Sequence, residues 1–92
     1  MHSLHVTVVL KGDFPDAASR QTHLQQVVSE VSSKPGFVHG YWLAPVDGQG
    51  HAYTFYDTEE HARDSAPEIG FVHGSGMAVI KDVELCPVLA HA

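Results

Sequence analysis

Histidine is the residue type in this 92-residue chain best suited to acid–base chemistry, and the chain has eight of them. They are spread along the whole sequence, so a purification tag does not explain them. An imidazole exchanges its proton near neutral pH, which makes it a suitable general base for a phenolic or enolisable substrate. His39 is followed two residues later by Tyr41, whose hydroxyl could hydrogen-bond the oxyanion left by proton removal. This pair is the first candidate for a catalytic site.

Residues 36–40 and residues 70–74 both read GFVHG. Each copy begins with a glycine, which suits the exit from a helix, and continues with a Phe that can enter a core. The first copy runs into an aromatic, strand-like segment, whereas the second runs into a glycine-rich segment that predicts a loop. The repeat therefore indicates two related halves of a fold, and only the first copy, with His39 beside Tyr41, is a candidate for chemistry.

The hydrophobic pattern predicts four strands and two helices that would position these side chains. Strands are predicted over residues 2–10, 37–44, 51–56 and 78–86. Helices are predicted from Asp16 to Ser33 and from a capping box with Asp57 as its N-cap to just before Pro67. A turn at residues 47–50 and a glycine-rich loop at residues 70–76 complete the chain. The order βαββαβ predicts an α+β, ferredoxin-like fold, a four-stranded antiparallel sheet with both helices on one face, in one domain over residues 1–92.

Alternation along the strands assigns side chains to the two faces of this sheet. The first strand places Leu4, Val6, Val8 and Leu10 on one face and His5, Thr7 and Val9 on the other. If the hairpin turn has two or four residues, one face of the hairpin carries Phe37, His39, Tyr41, Leu43, Thr54 and Tyr56, and the opposite face carries Val38, Trp42, Tyr53 and Phe55. A slip of one residue in the hairpin would exchange these faces.

Neither face of the predicted sheet is polar enough to stand in solvent. Two helices cover one face, and the other would expose a large apolar patch, which monomers seldom do. We therefore expect a second copy of the chain to cover it, giving a homodimer. Apolar side chains with polar tips suit a packed interface and also a cavity that binds a small apolar or aromatic molecule. Both alternatives stay open at this point.

For a catalytic cavity, His39 and His5 are the candidate bases, and Tyr41 and Tyr56 are the candidate hydrogen-bond donors to an oxyanion. The candidate ligand-binding residues are Thr7, Phe37, Trp42, Thr54 and His61. No cofactor is predicted.

Composition excludes several other classes of partner. The formal net charge is −6, so we expect neither nucleic acid nor an anionic membrane as a partner. The apolar runs are too short to span a bilayer and the first residues do not resemble a signal peptide, so the expected location is the cytoplasm. The single Cys86 lies in an apolar run, which favours a buried, unreactive thiol.

The block PGFVHGYWLAPVDGQG, followed by YTFYDTEEHA, resembles the small proteins of the dimeric α/β-barrel superfamily, especially those related to antibiotic-biosynthesis monooxygenases. The matching features are Pro-Gly-Phe, Gly-x-Trp, an Asp-Gly turn and an aromatic-Asp-Thr-Glu-Glu-x-Ala passage, all in the middle third of the chain. The resemblance implies a dimer in which two four-stranded sheets close into a barrel, with one pocket per subunit. The superfamily includes cofactor-independent quinone-forming monooxygenases, haem-degrading enzymes, isomerases and cyclases, so the resemblance alone does not select an activity.

Three functional hypotheses follow. The first is a cofactor-independent, monooxygenase-like enzyme acting on an aromatic or enolisable substrate. The second is a non-catalytic ligand-binding or dimerisation module. The third and weakest is haem or metal binding: His61 lies at the first turn of its helix, earlier than the haem-ligating His of the haem-degrading proteins, and the best local metal pair is His39 with His73. His51 is expected at the turn, as the first residue of the third predicted strand.

Overall fold

The polypeptide follows the predicted order of strands and helices, with one short strand added. The computed structural model describes residues 1–10, 17–70, 72–73, 78–90 and 92. Its elements are β1 (His2–Leu10), α1 (Ala17–Ser32), β2 (Phe37–Trp42), β3 (Gln49–Tyr56), α2 (Glu59–Ser65), β4 (Val72–His73) and β5 (Ala78–Pro87). The predicted N-cap Asp16 and most of the predicted loop at residues 70–76 lie outside the described residues.

The strands form one antiparallel sheet in the order β2-β3-β1-β5-β4. The four long strands and the two helices on one face of the sheet make the α+β, ferredoxin-like arrangement, as predicted. β1 lies between β3 and β5, so both of its edges are hydrogen-bonded. The two-residue β4 adds a short edge strand next to β5.

The hydrophobic core lies on one face of this sheet, which we call the helix face. Leu4, Tyr56 and Ala62 are buried there, and Ala62 comes from α2. The half-buried residues packed against them are Val6, Phe37, Ala66, Val83 and Leu85. The predicted alternation of β1 is confirmed, since Leu4 and Val6 point into this core while His5 points to the opposite face, which we call the open face.

α2 begins one residue later than the predicted capping box requires. The N-cap is Thr58, whose hydroxyl accepts a hydrogen bond of 3.1 Å from the backbone N–H of His61. The prediction of Asp57 as the N-cap is therefore wrong. The Asp57 carboxylate turns instead to the imidazole ring of His61.

The hairpin between β2 and β3 has one of the two turn lengths predicted for it, but its register differs from the predicted one. Asp47 and Gly48 both have positive φ, at 52° and 76°, and Val46 and Gln49 exchange two backbone hydrogen bonds around them. This is a two-residue turn of the type that Asp-Gly favours.

The register changes just beyond that turn. The Leu43 N–H donates to the His51 carbonyl, so two residues, 44 and 45, stand on the β2 side against one, Gly50, on the β3 side. The extra residue slips the pairing by one, so that Tyr41 stands opposite Tyr53 and His39 opposite Phe55. A second irregularity between Phe37 and His39 returns Phe37 to a position opposite Tyr56.

The predicted faces of the hairpin are consequently wrong. His39 and Tyr41 share the open face with Tyr53 and Phe55, whereas Phe37, Trp42, Thr54 and Tyr56 lie on the helix face. The physical reason is that side chains alternate with a period of two, so one inserted residue moves a whole strand relative to its neighbour.

Candidate functional site

The open face carries a cluster of imidazole and aromatic rings supplied by three adjacent strands. We call this group the open-face cluster; its members are His5 and Thr7 of β1, His51, Tyr53 and Phe55 of β3, and His39 and Tyr41 of β2. Alternation along each strand brings every second residue to this face, and the register of the hairpin aligns them across strands.

His39 and Tyr41 form the outer part of the cluster, near the sheet edge. The His39 ring stacks on Phe55, with centroids 4.5 Å apart and planes 24° apart. Tyr41 stands nearly perpendicular to His39, with centroids 5.6 Å apart, and its side chain is 59% exposed. The predicted pair is therefore brought together, with both polar tips accessible to a ligand.

A groove with a volume of about 370 Å³ opens beside this pair. Its walls are His39, Tyr41 and Phe55 on one side and Met1, Val88, Ala90 and Ala92 on the other. The Val88 N–H donates to the Met1 carbonyl, which ties the segment after β5 to the start of β1. The volume falls within the range of about 300–1,000 Å³ for small-molecule sites, and the lining is mainly apolar with two polar groups.

His5 and His51 form the inner part of the cluster. His5 Nε2 and His51 Nδ1 are 3.1 Å apart, and the Thr7 hydroxyl lies 3.3 Å from the same His51 nitrogen. The His5 ring stacks almost parallel on Tyr53, with centroids 4.2 Å apart. His51 is part of β3, as the strand predicted over residues 51–56 requires, and lies beyond the turn; its alternation with Tyr53 and Phe55 was the signal that could have placed it on this face.

Four of the predicted site residues lie away from His39, on the helix face. Tyr56 is 1% exposed and meets Phe37 edge-on, with ring centroids 6.0 Å apart. The buried Thr54 hydroxyl donates to the Leu4 carbonyl at 3.4 Å. Trp42 is half-buried on the same face. The sheet separates these side chains from the open-face groove.

His61, predicted to bind ligand, forms a separate pair with Asp57 on the helix side. Its Nδ1–H donates to the Asp57 carboxylate across 2.6 Å. This hydrogen bond is the main reason that the pKa of His61 is raised above its ordinary value and that the pKa of Asp57 is lowered. Gly36 lies directly against the pair, and its carbonyl accepts a hydrogen bond from the Asp57 N–H at 2.9 Å.

Two further predictions from the sequence do not hold. His39 and His73 lie on β2 and β4, at opposite edges of the five-stranded sheet, so the sequence-based metal pair is wrong. Cys86 is exposed, because alternation along β5 brings it to the open face opposite Ser3. Among the described residues no three side chains of His, Cys, Asp or Glu converge as metal ligands.

Within the part of the chain that the structure describes, no helix has the length and apolar character needed to cross a bilayer.

Comparison with known proteins adds information on the fold. No protein-family model matches the chain, and no curated protein matches it. Among solved structures, a structural-genomics protein named YJCS is similar, with a TM-score of 0.59, 14% sequence identity and coverage of 95% of this chain and 97% of that chain. At this identity the likeness supports the ferredoxin-like fold, and any function must be argued from the site itself.

Proposed function

We propose that the open face pairs with the open face of a second copy of this chain and encloses a pocket for a small apolar or aromatic molecule. Exposed aromatic surface supports the proposal, since Tyr41 is 59% exposed and Tyr53 is 37% exposed on one continuous face. A monomer seldom leaves such a patch uncovered. The resemblance to the dimeric α/β-barrel superfamily implies the same arrangement.

The reaction that suits this pocket best is a monooxygenation without a cofactor. His39 would remove a proton from an enolisable, anthrone-like substrate, and Tyr41 would hydrogen-bond the resulting oxyanion. The carbanion would then transfer electrons to molecular oxygen. One oxygen atom would become the new carbonyl, and the other would leave as water with the two hydrogens lost from the ring carbon. The observation that carries this proposal is the juxtaposition of His39 and Tyr41 beside an apolar groove.

The test is oxygen-dependent turnover of an anthrone by metal-free protein. We expect His39→Gln to lower kcat by about 100-fold or more, the usual contribution of a general base. Tyr41→Phe, compared separately with the wild type, should also lower kcat. His23→Gln on α1 is the matched control and should leave the rate unchanged. Equal rates in His39→Gln and wild type would refute the base assignment. The inner His5 is then the next candidate base, tested by His5→Gln.

A non-catalytic binding module is the second candidate function. The contacts recorded for the His39 ring are to Phe55 and Tyr41, and neither supplies a carboxylate to orient the imidazole as a base. A ligand that raises the melting temperature of the protein further at each higher concentration added, and that is not consumed during the incubation, would favour this function.

A further inference from the structure

We propose that His5 and His51 together bind a late first-row divalent metal ion, such as Cu²⁺, Ni²⁺ or Zn²⁺, on the open face. The two side chains come from neighbouring strands and present His5 Nε2 and His51 Nδ1 to each other at 3.1 Å. At this separation the two nitrogens cannot both carry a proton, so at least one lone pair already points into the space between them. Neutral imidazole is the ligand that these metals share.

The separation of the two nitrogens fits a chelate. With metal–nitrogen bonds of about 2.0–2.1 Å, two ligands on a tetrahedral ion lie about 3.3 Å apart, and two adjacent ligands on a square-planar ion lie about 2.9 Å apart. The observed 3.1 Å falls between these values, so the separation of the two nitrogens already suits a chelate, and each ring would turn to aim its lone pair at the ion instead of at the other nitrogen.

The surroundings of the pair hold the rings and favour a cation. His5 stacks on Tyr53, with planes only 9° apart, and the buried Thr7 places its hydroxyl 3.3 Å from the metal-binding nitrogen of His51. On β5, Glu84 stands opposite His5 and Asp82 opposite Thr7, so two carboxylates share the open face with the imidazoles. Cross-strand neighbours of this kind lie about 4.5–5.5 Å apart at Cβ, close enough for their charge to attract a cation.

The described residues supply two nitrogen ligands, since no third His, Cys, Asp or Glu converges with them. Water would complete the coordination of the ion, with the Thr7 hydroxyl able to hydrogen-bond one such water. This site is distinct from the His39–Tyr41 pair and from the His61–Asp57 pair.

The experiment is calorimetric titration of untagged protein with NiCl₂ and CuCl₂. We expect one ion per chain in the wild type. Loss of even an outer-shell partner of a metal costs about 10–100-fold in affinity, so His5→Gln and His51→Gln should each weaken binding at least that much. His39→Gln, on the same face but outside the pair, is the matched control and should bind as the wild type does.

Two further readouts keep the result interpretable. Circular dichroism establishes that each variant is folded, and electron paramagnetic resonance of the Cu²⁺ form should show nitrogen coupling that changes in His5→Gln and His51→Gln. Wild-type affinity retained in both variants would overturn the proposal, because the ion would then occupy other histidines. Absence of binding to the wild type would also overturn it and leave a hydrogen-bonded imidazole pair. Both results are read from metal binding and its spectrum, whereas the proposed function is tested by turnover and by the mass of the protein, so the two proposals can fail separately.

Discussion

At the level of single residues, the pair of Asp57 and His61 is the clearest case of a side chain whose protonation depends on a neighbour. Both groups are exposed to solvent, so water screens their attraction and their effect on folding stability is small. Their titration is nevertheless informative. A hydrogen bond to the charged form of each group shifts the two pKa values in opposite directions.

We expect the pKa of His61 to lie above that of an ordinary histidine and to fall towards it in Asp57→Asn. The pair is charged in the window between the lowered pKa of Asp57 and the raised pKa of His61. Its contribution to stability is lost as the pH rises through the His61 pKa, and also as the pH falls through the Asp57 pKa. Imidazole proton resonances followed against pH in the wild type and in Asp57→Asn measure this change. An unchanged His61 titration in Asp57→Asn would contradict the pairing.

At the level of secondary-structure elements, the connections between strands and helices decide where the site residues lie. The first GFVHG copy illustrates this, because Gly36 leads into β2 while lying against the start of α2. A β-carbon added there would lie within contact distance of both the Asp57 carboxylate and the His61 ring. The glycine thus permits both its positive φ of 79° and the close approach of two loops.

We expect Gly36→Ala to destabilise the protein more than Gly48→Ala. Both positions have positive φ, at 79° and 76°, so both substitutions incur a backbone cost of about 1–2 kcal/mol. Only Gly36 has close neighbours, whereas nothing lies within 4 Å of a β-carbon added at Gly48. The collision is with the ends of two exposed side chains, which can move aside at the loss of their hydrogen bond, so it should add about 1 kcal/mol. Urea denaturation measures the loss of unfolding free energy in each variant, and the difference between the two losses is the cost of the collision at Gly36. Equal losses would show that Gly36 does not lie against Asp57 and His61 as described.

At the level of the whole molecule, the small core and the exposed aromatic face are the features on which the proposed pairing with a second copy rests. The fully buried apolar side chains lie between the sheet and α2. Helix α1 contributes little to this core, since its apolar residue Leu24 is 38% exposed. A domain of this size buries a limited share of its surface, and pairing of two open faces would add a second apolar layer.

We expect Tyr53→Asp to shift the protein from dimer to monomer. The substitution would place a charge in the middle of the open face, where a partner would bury it at a high desolvation cost. Val46→Asp is the control, because Val46 is also an exposed apolar residue, 66% exposed, but lies beside the hairpin turn. Light scattering distinguishes a dimer of about 20 kDa from a single chain of 10.0 kDa. A wild-type mass of one chain would contradict the dimer.

The sequence was sufficient to predict the order of the four long strands and two helices, both faces of β1, the Asp-Gly turn and the proximity of His39 to Tyr41. These features depend on local patterns, which are the alternation of a strand and the backbone preferences of Asp and Gly. The register between strands is not local. Only the tertiary structure decided that one extra residue beside Pro45 turns Tyr56 and Thr54 away from His39.

The tertiary structure also decided which histidines meet. His5 and His51 are far apart in sequence and come within hydrogen-bonding distance because β1 and β3 are paired in one particular register, whereas the repeated pentapeptide suggested His39 and His73. Side chains two positions apart on one strand share a face in any sheet. Side chains on different strands become neighbours only through backbone hydrogen bonds between distant segments, and the bulges in those segments are set by the packing of the whole sheet.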